Sequence, residues 1–259
     1  MKANATGVPL VFVHGMRVSG AMWQPVIDAL DTRHPTAAPD LPGHGSRRGE
    51  PFTLPGAVAV VTDAIDALGG RALVVGLSLG GFVAVATAGS HPDRVLGLVA
   101  MGCTATPRGL LGAVYRGAAR AGARYPQGAA RLSAFGFRRA LPEPQARAMV
   151  SGGLTCETMP DIVRAVSAMD PLAALAAYPG PVWLVNGERD HFRRDERRFL
   201  RACHDGRLIV RPGCGHISSL ADTEAVARQV QDAAAVVSAA RTGGTSVPTH
   251  RPATSEEAR

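Results

Sequence analysis

The clearest reactive feature of the sequence is a serine set between glycines. Residues 76–80 read Gly-Leu-Ser-Leu-Gly, directly after the apolar run 72–75 and directly before a segment with a helical pattern. Glycines on either side of a turn allow a strand and a helix to approach closely, because they carry no Cβ. The N-terminus of the helix then directs backbone N–H groups towards developing negative charge. The pattern predicts that Ser78 is a nucleophile on a sharp strand–turn–helix connection.

A serine hydroxyl is a weak nucleophile unless a base removes its proton. The chain contains eight histidines, and five of them follow Ser78. His216 ends a Gly-Cys-Gly-His segment just past the last apolar run, 208–210. A loop at that position delivers its side chains over the carboxyl end of a parallel sheet, where Ser78 is also expected. We therefore predict that His216 is the general base.

The base needs an acidic partner that orients it and stabilises its cationic form. The run 182–185 predicts a strand, and the loop that follows reads Asn-Gly-Glu-Arg-Asp at 186–190. Asp190 is the favoured acid, and Glu188 in the same loop is the alternative. The loop after the preceding strand reads Met-Gly-Cys-Thr at 101–104 and offers no carboxylate. Asp190 therefore has no competitor there.

An oxyanion hole needs two N–H donors that point at the developing charge. We expect one from the backbone of Leu79, the residue after the predicted nucleophile. The loop after the first strand reads His-Gly-Met at 14–16, and the backbone N–H of Met16 is expected to be the other donor. Gly15 permits the tight turn, and His14 is expected to brace this loop rather than to transfer protons.

These residues must be positioned by a sheet and by the helices around it. Short apolar runs predict strands at 10–13, 36–38, 72–75, 95–100, 182–185 and 208–210. Helical patterns lie at 20–30, 54–68, 79–88, 195–203 and 223–240. Apolar strands that alternate with helices are typical of a parallel sheet covered on both faces. The sequence therefore predicts a doubly wound α/β fold.

One interval breaks the alternation of strand and helix. Residues 106–177 have helical composition without a convincing strand, so we predict a helical cap inserted into a core formed by 1–105 and 178–240. The cap holds nine arginines against four acids, which is +5 of the net charge of +7. These arginines either solvate the outer faces of the cap helices or, in one or two cases, meet a substrate anion. Residues 241–259 offer almost nothing to bury and predict a disordered tail.

Composition and charge argue against several classes of protein. The hydrophobic fraction of 46% argues against wholesale disorder. Lys2 is the only lysine, and the arginines are spread along the chain, so no nucleic-acid partner is expected. The four cysteines form no CxxC pair, so no metal site is predicted. No stretch is apolar and long enough to span a membrane, and no secretory signal is found, so we expect a cytoplasmic protein with reduced thiols and no membrane partner.

Taken together, these residues resemble the α/β-hydrolase fold family. The resemblance rests on segments at 13–16, 40–46, 76–81, 186–190 and 215–216. It implies a serine esterase-like enzyme with a helical cap, and a structural role for His44. Only nine residues precede the first apolar run, where the family usually has two antiparallel strands, so the resemblance implies a mostly parallel sheet of six to seven strands. Serine at position 78 argues against haloalkane dehalogenases and epoxide hydrolases, which resemble this fold but carry an aspartate there.

The resemblance implies a hydrolase of a small carboxylic ester, thioester or lactone that acts through Ser78, His216 and Asp190. Its partner would be a small-molecule substrate, no cofactor or metal would be needed, and the oligomeric state is left open. A cofactor-free lyase, a perhydrolase or a biosynthetic cyclase that reuses the same three residues is the alternative, because a fold does not decide the reaction. A non-catalytic binding protein is a further alternative, which the complete triad disfavours.

Overall fold

A parallel sheet organises the chain. The computed structural model describes residues 7–106 and 109–243. The strands of this part of the chain are β1 (Leu10–Val13), β2 (Thr36–Ala37), β3 (Ala72–Leu77), β4 (Val95–Met101), β5 (Pro181–Gly187) and β6 (Asp205–Arg211). They lie in the order β2-β1-β3-β4-β5-β6, and each neighbouring pair is parallel. The predicted α/β fold is confirmed, with six strands among the described residues.

Helices connect and flank these strands. The α-helices of the described residues are α1 (Gln24–Asp28), α2 (Leu54–Ala67), α3 (Leu79–Ser90), α4 (Gly109–Arg124), α5 (Pro126–Ala140), α6 (Glu143–Ser151), α7 (Met159–Ala168), α8 (Pro171–Ala176), α9 (Glu196–Ala202) and α10 (Thr223–Gly243). Local chemistry sets some of their starts: the Thr53 side chain accepts the N–H of Gly56 at the beginning of α2 (3.1 Å), as a helix cap does. The helical patterns at 54–68, 79–88, 195–203 and 223–240 each correspond to one of these helices, whereas the pattern at 20–30 forms a 3-10 turn at Gly20–Trp23 followed by the short α1.

The strands are buried on both faces of the sheet, because successive side chains of a strand point to opposite sides. In β1, Val11 and Val13 join one apolar layer, whereas Leu10 and Phe12 join the other. Residues of α2, α3, α8 and α9 complete the first layer, and residues of α1, α6 and α10 complete the second. This double burial is the reason why the strands appear in the sequence as continuous apolar runs.

The interval 106–177 holds helices α4 to α8 and no strand among its described residues. α4 packs against α5 and α7, whereas α8 packs against α3 and α9 on the flank of the sheet. The division of the chain into a core and a cap stays a prediction.

Of the predicted tail at 241–259, the first three residues complete α10, and 244–259 lie outside the described residues. No helix in the described part of the chain is long and apolar enough to cross a membrane.

Two buried histidines fasten the loop after β1 to the loop after β2. Nδ1 of His14 donates to the carbonyl of Gly15 (2.8 Å), and Nε2 accepts the backbone N–H of Leu41 (2.9 Å). Nε2 of His44 accepts the backbone N–H of Arg17 at 3.3 Å. Each ring accepts a backbone N–H through one nitrogen, so both rings are neutral in these contacts. His14 and His44 therefore brace the two loops, in agreement with the structural roles expected for them.

A carboxylate adds a third connection between the same loops. Asp40 accepts the backbone N–H of Gly20 (2.8 Å) from the first loop, and the N–H and hydroxyl of Ser46 (2.7 and 2.8 Å) from its own loop. These hydrogen bonds outweigh the effect of burial and hold the pKa of Asp40 below its usual value. The loop that contains Met16 is therefore held in place by side chains that lie far from it in the sequence.

Acid should destabilise the fold through His14. Burial, together with repulsion from His44 when that ring is protonated, lowers the pKa of His14 to about 3, whereas an unfolded chain protonates histidine near pH 6.5. Between those values the unfolded state binds a proton that the folded state excludes, so stability falls as the pH drops. Urea unfolding from about pH 7 to about pH 4 should show a loss on the order of 1 kcal/mol per pH unit from this group.

The matched variant for that measurement is His14→Asn, which removes the titrating ring. It should be less stable at neutral pH, but its free energy of unfolding should fall less steeply towards acid pH. Equal slopes for the variant and the original chain would contradict the assignment of this pH dependence to His14.

Candidate active site

Ser78 lies on a strained turn between β3 and α3. Its φ of 57° and ψ of −115° are backbone angles that residues with side chains rarely adopt. A methyl group on Gly76 would overlap the carbonyl of Gly80, and one on Gly80 would overlap the carbonyl of Val13. The Ser78 N–H donates to the carbonyl of Met101 (2.8 Å), which attaches the turn to β4. The strand, the tight turn and the helix thus occur in the predicted order.

Asp190 and His216 come together from the loops after β5 and β6. Nδ1 of His216 lies 2.9 Å from Oδ2 of Asp190 and donates this hydrogen bond. The other oxygen of Asp190 accepts the N–H of Phe192 (2.8 Å), which fixes the direction of the carboxylate. The Asp190 side chain is 1% exposed and the His216 side chain 14% exposed. Water is thus largely excluded from this pair.

Asp190 stays ionised although it is buried. Desolvation alone would raise its pKa, but the hydrogen bond and charge of His216 and the N–H of Phe192 outweigh desolvation and hold the pKa below its usual value. An ionised carboxylate in this position can stabilise a cationic imidazole. Glu188, the alternative acid, is exposed and accepts the N–H of Gly213 instead (2.8 Å). Of the two candidate acids, Asp190 is the one that contacts His216.

The two predicted oxyanion donors lie next to Ser78. Leu79 is the first residue of α3, where a helix leaves its N–H groups without an internal acceptor. The loop after β1 packs on the serine turn, since a methyl group on Gly15 would lie 3.8 Å from Cβ of Ser78. Neither the N–H of Met16 nor that of Leu79 has a protein acceptor within the described residues. Both are free to donate to a bound ligand.

Ser78 and His216 line one cavity of about 240 Å³. A second cavity of about 60 Å³ also reaches Ser78, and its remaining lining is almost wholly apolar: Met16, Leu79, Phe82, Tyr115, Ile162, Val163, Val166 and Phe192. A polar centre with an apolar extension suits a substrate with a reactive group at one end of a hydrocarbon part. Within the described residues, no group of three His, Cys, Asp or Glu side chains could hold a metal ion.

Aromatic rings that the sequence does not single out pack against His216. The ring centroid of Phe192 lies 4.7 Å from that of His216, and the centroid of His191 lies 5.4 Å from it. Tyr115 of α4 packs in turn on Phe192 at 5.4 Å. Burial and the nearby charge of Asp190 raise the pKa of Tyr115 to about 12, so its hydroxyl stays neutral. Tyr115 belongs to no motif, and only its aromatic type could have drawn attention to it.

Gly102, directly after β4, makes room for the acid and the base. It has a positive φ of 57°, and a methyl group on it would lie 2.9 Å from Cε1 of His216 and 3.0 Å from Oδ2 of Asp190. In the sequence this loop is notable only for lacking a carboxylate. The available signal was the glycine itself, which follows a buried strand at the edge where the loops of a parallel sheet meet.

The described arginines of the predicted cap are exposed to solvent. None of them lines either cavity beside Ser78: Arg116, Arg120, Arg124, Arg131, Arg138, Arg139, Arg147 and Arg164. Arg108 lies outside the described residues. Arg147 pairs with Glu143 and Arg164 with Asp161, each on its own helix. These arginines therefore fit the first interpretation of the cap charge, in which they are solvated on the outer faces of their helices.

The arrangement defines a class of protein. A parallel α/β sheet carries a serine on a strained turn, and an acid and a base meet over the same end of the sheet. The model of the alpha/beta hydrolase family matches residues 10–229, which is most of the chain. The protein therefore belongs to the alpha/beta hydrolase family, and the resemblance and enzyme class predicted from its motifs are confirmed.

Individual relatives match shorter parts of the sequence. A pimeloyl-acyl-carrier-protein methyl ester esterase of Nitrosomonas europaea is 35% identical over 105 residues, 40% of this chain and 40% of that protein. The biotin biosynthesis bifunctional protein of Cellvibrio japonicus is 36% identical over 97 residues, 37% of this chain and 19% of that protein. The chain thus covers less than half of either curated relative. A thermophilic esterase of Thermogutta terrifontis shares the fold, with a TM-score of 0.74, 23% identity, and 90% of this chain and 91% of that chain covered.

Gly102→Ala should disturb the candidate site without removing any reactive group. The added methyl would displace His216 and Asp190 from their present positions, and a displacement of about 1 Å can reduce kcat by roughly 10². Gly109→Ala is a matched control, because Gly109 has a similar φ of 62° but no atom within 4 Å of the added methyl. Ester hydrolysis should fall in the first variant much more than in the second. Equal losses would show that backbone strain, and not displacement of the pair, is responsible.

Proposed function

We propose that the protein is a serine hydrolase that cleaves a small carboxylic ester, thioester or lactone. The observation that carries this proposal is the 2.9 Å hydrogen bond between His216 and the buried Asp190. His216 lines the same cavity as Ser78, which stands on a strained turn. A buried, ionised carboxylate that orients a histidine is the arrangement that a serine nucleophile requires for activation.

In the first half of the reaction, the Ser78 hydroxyl oxygen attacks the carbonyl carbon of the ester. His216 removes the hydroxyl proton as the new carbon–oxygen bond forms. The carbonyl oxygen becomes negatively charged and accepts hydrogen bonds from the N–H groups of Met16 and Leu79. When the tetrahedral intermediate collapses, the bond to the leaving oxygen or sulfur breaks, and His216 returns the proton to that atom. The acyl group stays on Ser78 as an ester.

In the second half, a water molecule takes the place of the leaving group. His216 removes one proton from the water, whose oxygen attacks the acyl carbon. The bond to Ser78 breaks, and His216 protonates the serine oxygen. The products are a carboxylic acid and the alcohol or thiol, or a single hydroxy acid from a lactone. Asp190 stabilises the cationic ring of His216 in both halves and needs to bind no proton itself.

The apolar lining beside Ser78 supports a hydrocarbon acyl part in the substrate. Phe82, Ile162 and Val166 line the smaller cavity, and together they offer no charged contact. Burying each methylene of an acyl chain there contributes roughly 0.8 kcal/mol. The relative from Nitrosomonas europaea is named as a methyl ester esterase, which supports an ester as the substrate class for this chain.

Ser78→Ala should abolish the reaction while leaving the fold intact. It removes only the attacking oxygen, so kcat for a p-nitrophenyl ester should fall by about 10⁴ or more, and labelling by a fluorophosphonate should be lost. Ser151→Ala is a suitable control, because the Ser151 hydroxyl is exposed and donates only to the carbonyl of Ala148 (3.0 Å). Retention of more than about a tenth of the activity by Ser78→Ala would overturn the nucleophile assignment.

The two carboxylates of the loop after β5 provide a second test. Asp190→Asn keeps the shape of the side chain but removes the charge that orients His216, so kcat should fall by about 10⁴. Glu188→Gln changes the other acid, which is exposed and contacts Gly213, and should reduce kcat far less. Combining Asp190→Asn with Ser78→Ala should add little, because members of a triad act as one unit. Similar losses from the two single variants would reject Asp190 as the orienting acid.

A further inference from the structure

Arg17 brings an unusual charge into the cavity that Ser78 and His216 line. It directly follows Met16 in the loop after β1 and belongs to the lining of this cavity. The remaining described lining consists of glycine, apolar and aromatic side chains, the Ser78 hydroxyl and two histidines. Arg17 is therefore the one permanently charged side chain among the described residues that line it.

The backbone at Arg17 is an unfavourable place for a large side chain. Its φ of 77° lies in the left-handed region, which glycine adopts more readily than any other residue. The residue is nevertheless held firmly: its N–H donates to His44 (3.3 Å), and its carbonyl accepts the N–H of Thr155 (2.9 Å). One guanidinium nitrogen, Nη1, donates to the hydroxyl of Ser133 in α5 (2.9 Å). A large charged side chain at this strained position indicates that its guanidinium has a functional role.

The charge of Arg17 has no acidic partner among the described residues. Burial lowers its pKa, and the ionisable group that acts on it is the Cys156 thiol, whose own pKa is raised by burial. Glu157, next to that cysteine, pairs with Arg48 instead (2.7 Å). Nε of Arg17 is buried and has no acceptor. Arg17 thus lines the cavity without an acidic partner, and its Nε donor has no acceptor.

We propose that Arg17 binds a free carboxylate of the substrate, so that the preferred substrate is a half-ester of a dicarboxylic acid. A buried charge is costly unless an opposite charge pairs with it, and a ligand carboxylate would provide that pair. The planar guanidinium matches a carboxylate with two parallel hydrogen bonds. This inference rests on the proposed hydrolase function, and it specifies the substrate class of the same site.

The position of Arg17 also determines where the carboxylate would lie. Arg17, Phe137 and Ile217 line both the cavity of Ser78 and a groove of about 630 Å³ that residues of α4 and α5 border. Arg17 therefore lies where the two spaces adjoin. The carboxylate would bind at this junction, and the carbon chain would extend from there to the ester at Ser78. One chain length should match the fixed separation of the two groups better than shorter or longer chains.

A matched series of methyl esters tests this proposal. Monomethyl half-esters of unbranched dicarboxylic acids are compared with methyl esters of monocarboxylic acids that have the same number of carbons in the acyl chain. For each length the measurement is the ratio of kcat/KM for the anionic ester to kcat/KM for the neutral ester, from methanol release. In the original enzyme the ratio should exceed one and peak at one chain length. In Arg17→Gln the peak ratio should fall about tenfold to a hundredfold, the effect of losing a hydrogen bond to a charged group.

Control variants separate local recognition from general attraction. Arg131→Gln removes an exposed arginine of α5 and should leave the ratio nearly unchanged. Arg17→Lys keeps the charge without the planar fork and should give an intermediate ratio. The ratio of the original enzyme should also persist at about 0.5 M salt, because a buried pair is screened less than exposed charges.

The outcomes distinguish this proposal from the one on which it rests. A ratio near or below one in the original enzyme, or an unchanged ratio in Arg17→Gln, would overturn the role of Arg17 while leaving the hydrolase function standing. Because the first of these readings uses no variant, it decides the matter even if Arg17→Gln fails to fold. Failure of the original enzyme to hydrolyse any ester or to react with a fluorophosphonate would overturn both proposals.

Discussion

The close approach of α3 to the end of β1 is the constraint on which the site depends. Gly80, in the first turn of α3, lies against the carbonyl of Val13, and Val13 pairs with Gly76 across the sheet. No residue with a Cβ could occupy either glycine position without moving the helix. This packing forces Ser78 into its strained conformation and brings the helix N-terminus beside it. It also explains why the loop after β1 lies within reach of the serine.

Buried and partly buried polar side chains hold the remaining parts of the site through hydrogen bonds. His14, His44 and Asp40 connect the loops after β1 and β2 through hydrogen bonds to backbone N–H groups. Asp190 and His216 hydrogen-bond each other, side chain to side chain, from two neighbouring loops. A buried polar group without a partner is costly, so each of these bonds selects one arrangement of its loop. The position of Met16 is thus determined by the loop that contains His44 as well as by its own.

Charge is distributed differently outside and inside the candidate site. The described arginines of the cap are exposed to solvent, where salt screens their attraction for anions. Arg17 lines the cavity directly. Because it is partly buried, salt screens its charge less than that of the exposed arginines. The positive net charge of the predicted cap and the proposed recognition of a substrate anion are therefore separate properties, although both come from arginine.

The sequence by itself determined the fold class and the six strands. It also identified the candidate site residues, which are Ser78, Asp190, His216, Met16 and Leu79. It could do so because these features are local: apolar runs form buried strands, and the loops after parallel strands meet at one edge of the sheet. Only the tertiary structure decided that Asp190 rather than Glu188 contacts His216, and that Gly102, Tyr115 and Arg17 adjoin the site. Those contacts join elements far apart in the chain, and the direction of each side chain depends on how cap and loops pack, which no local pattern encodes.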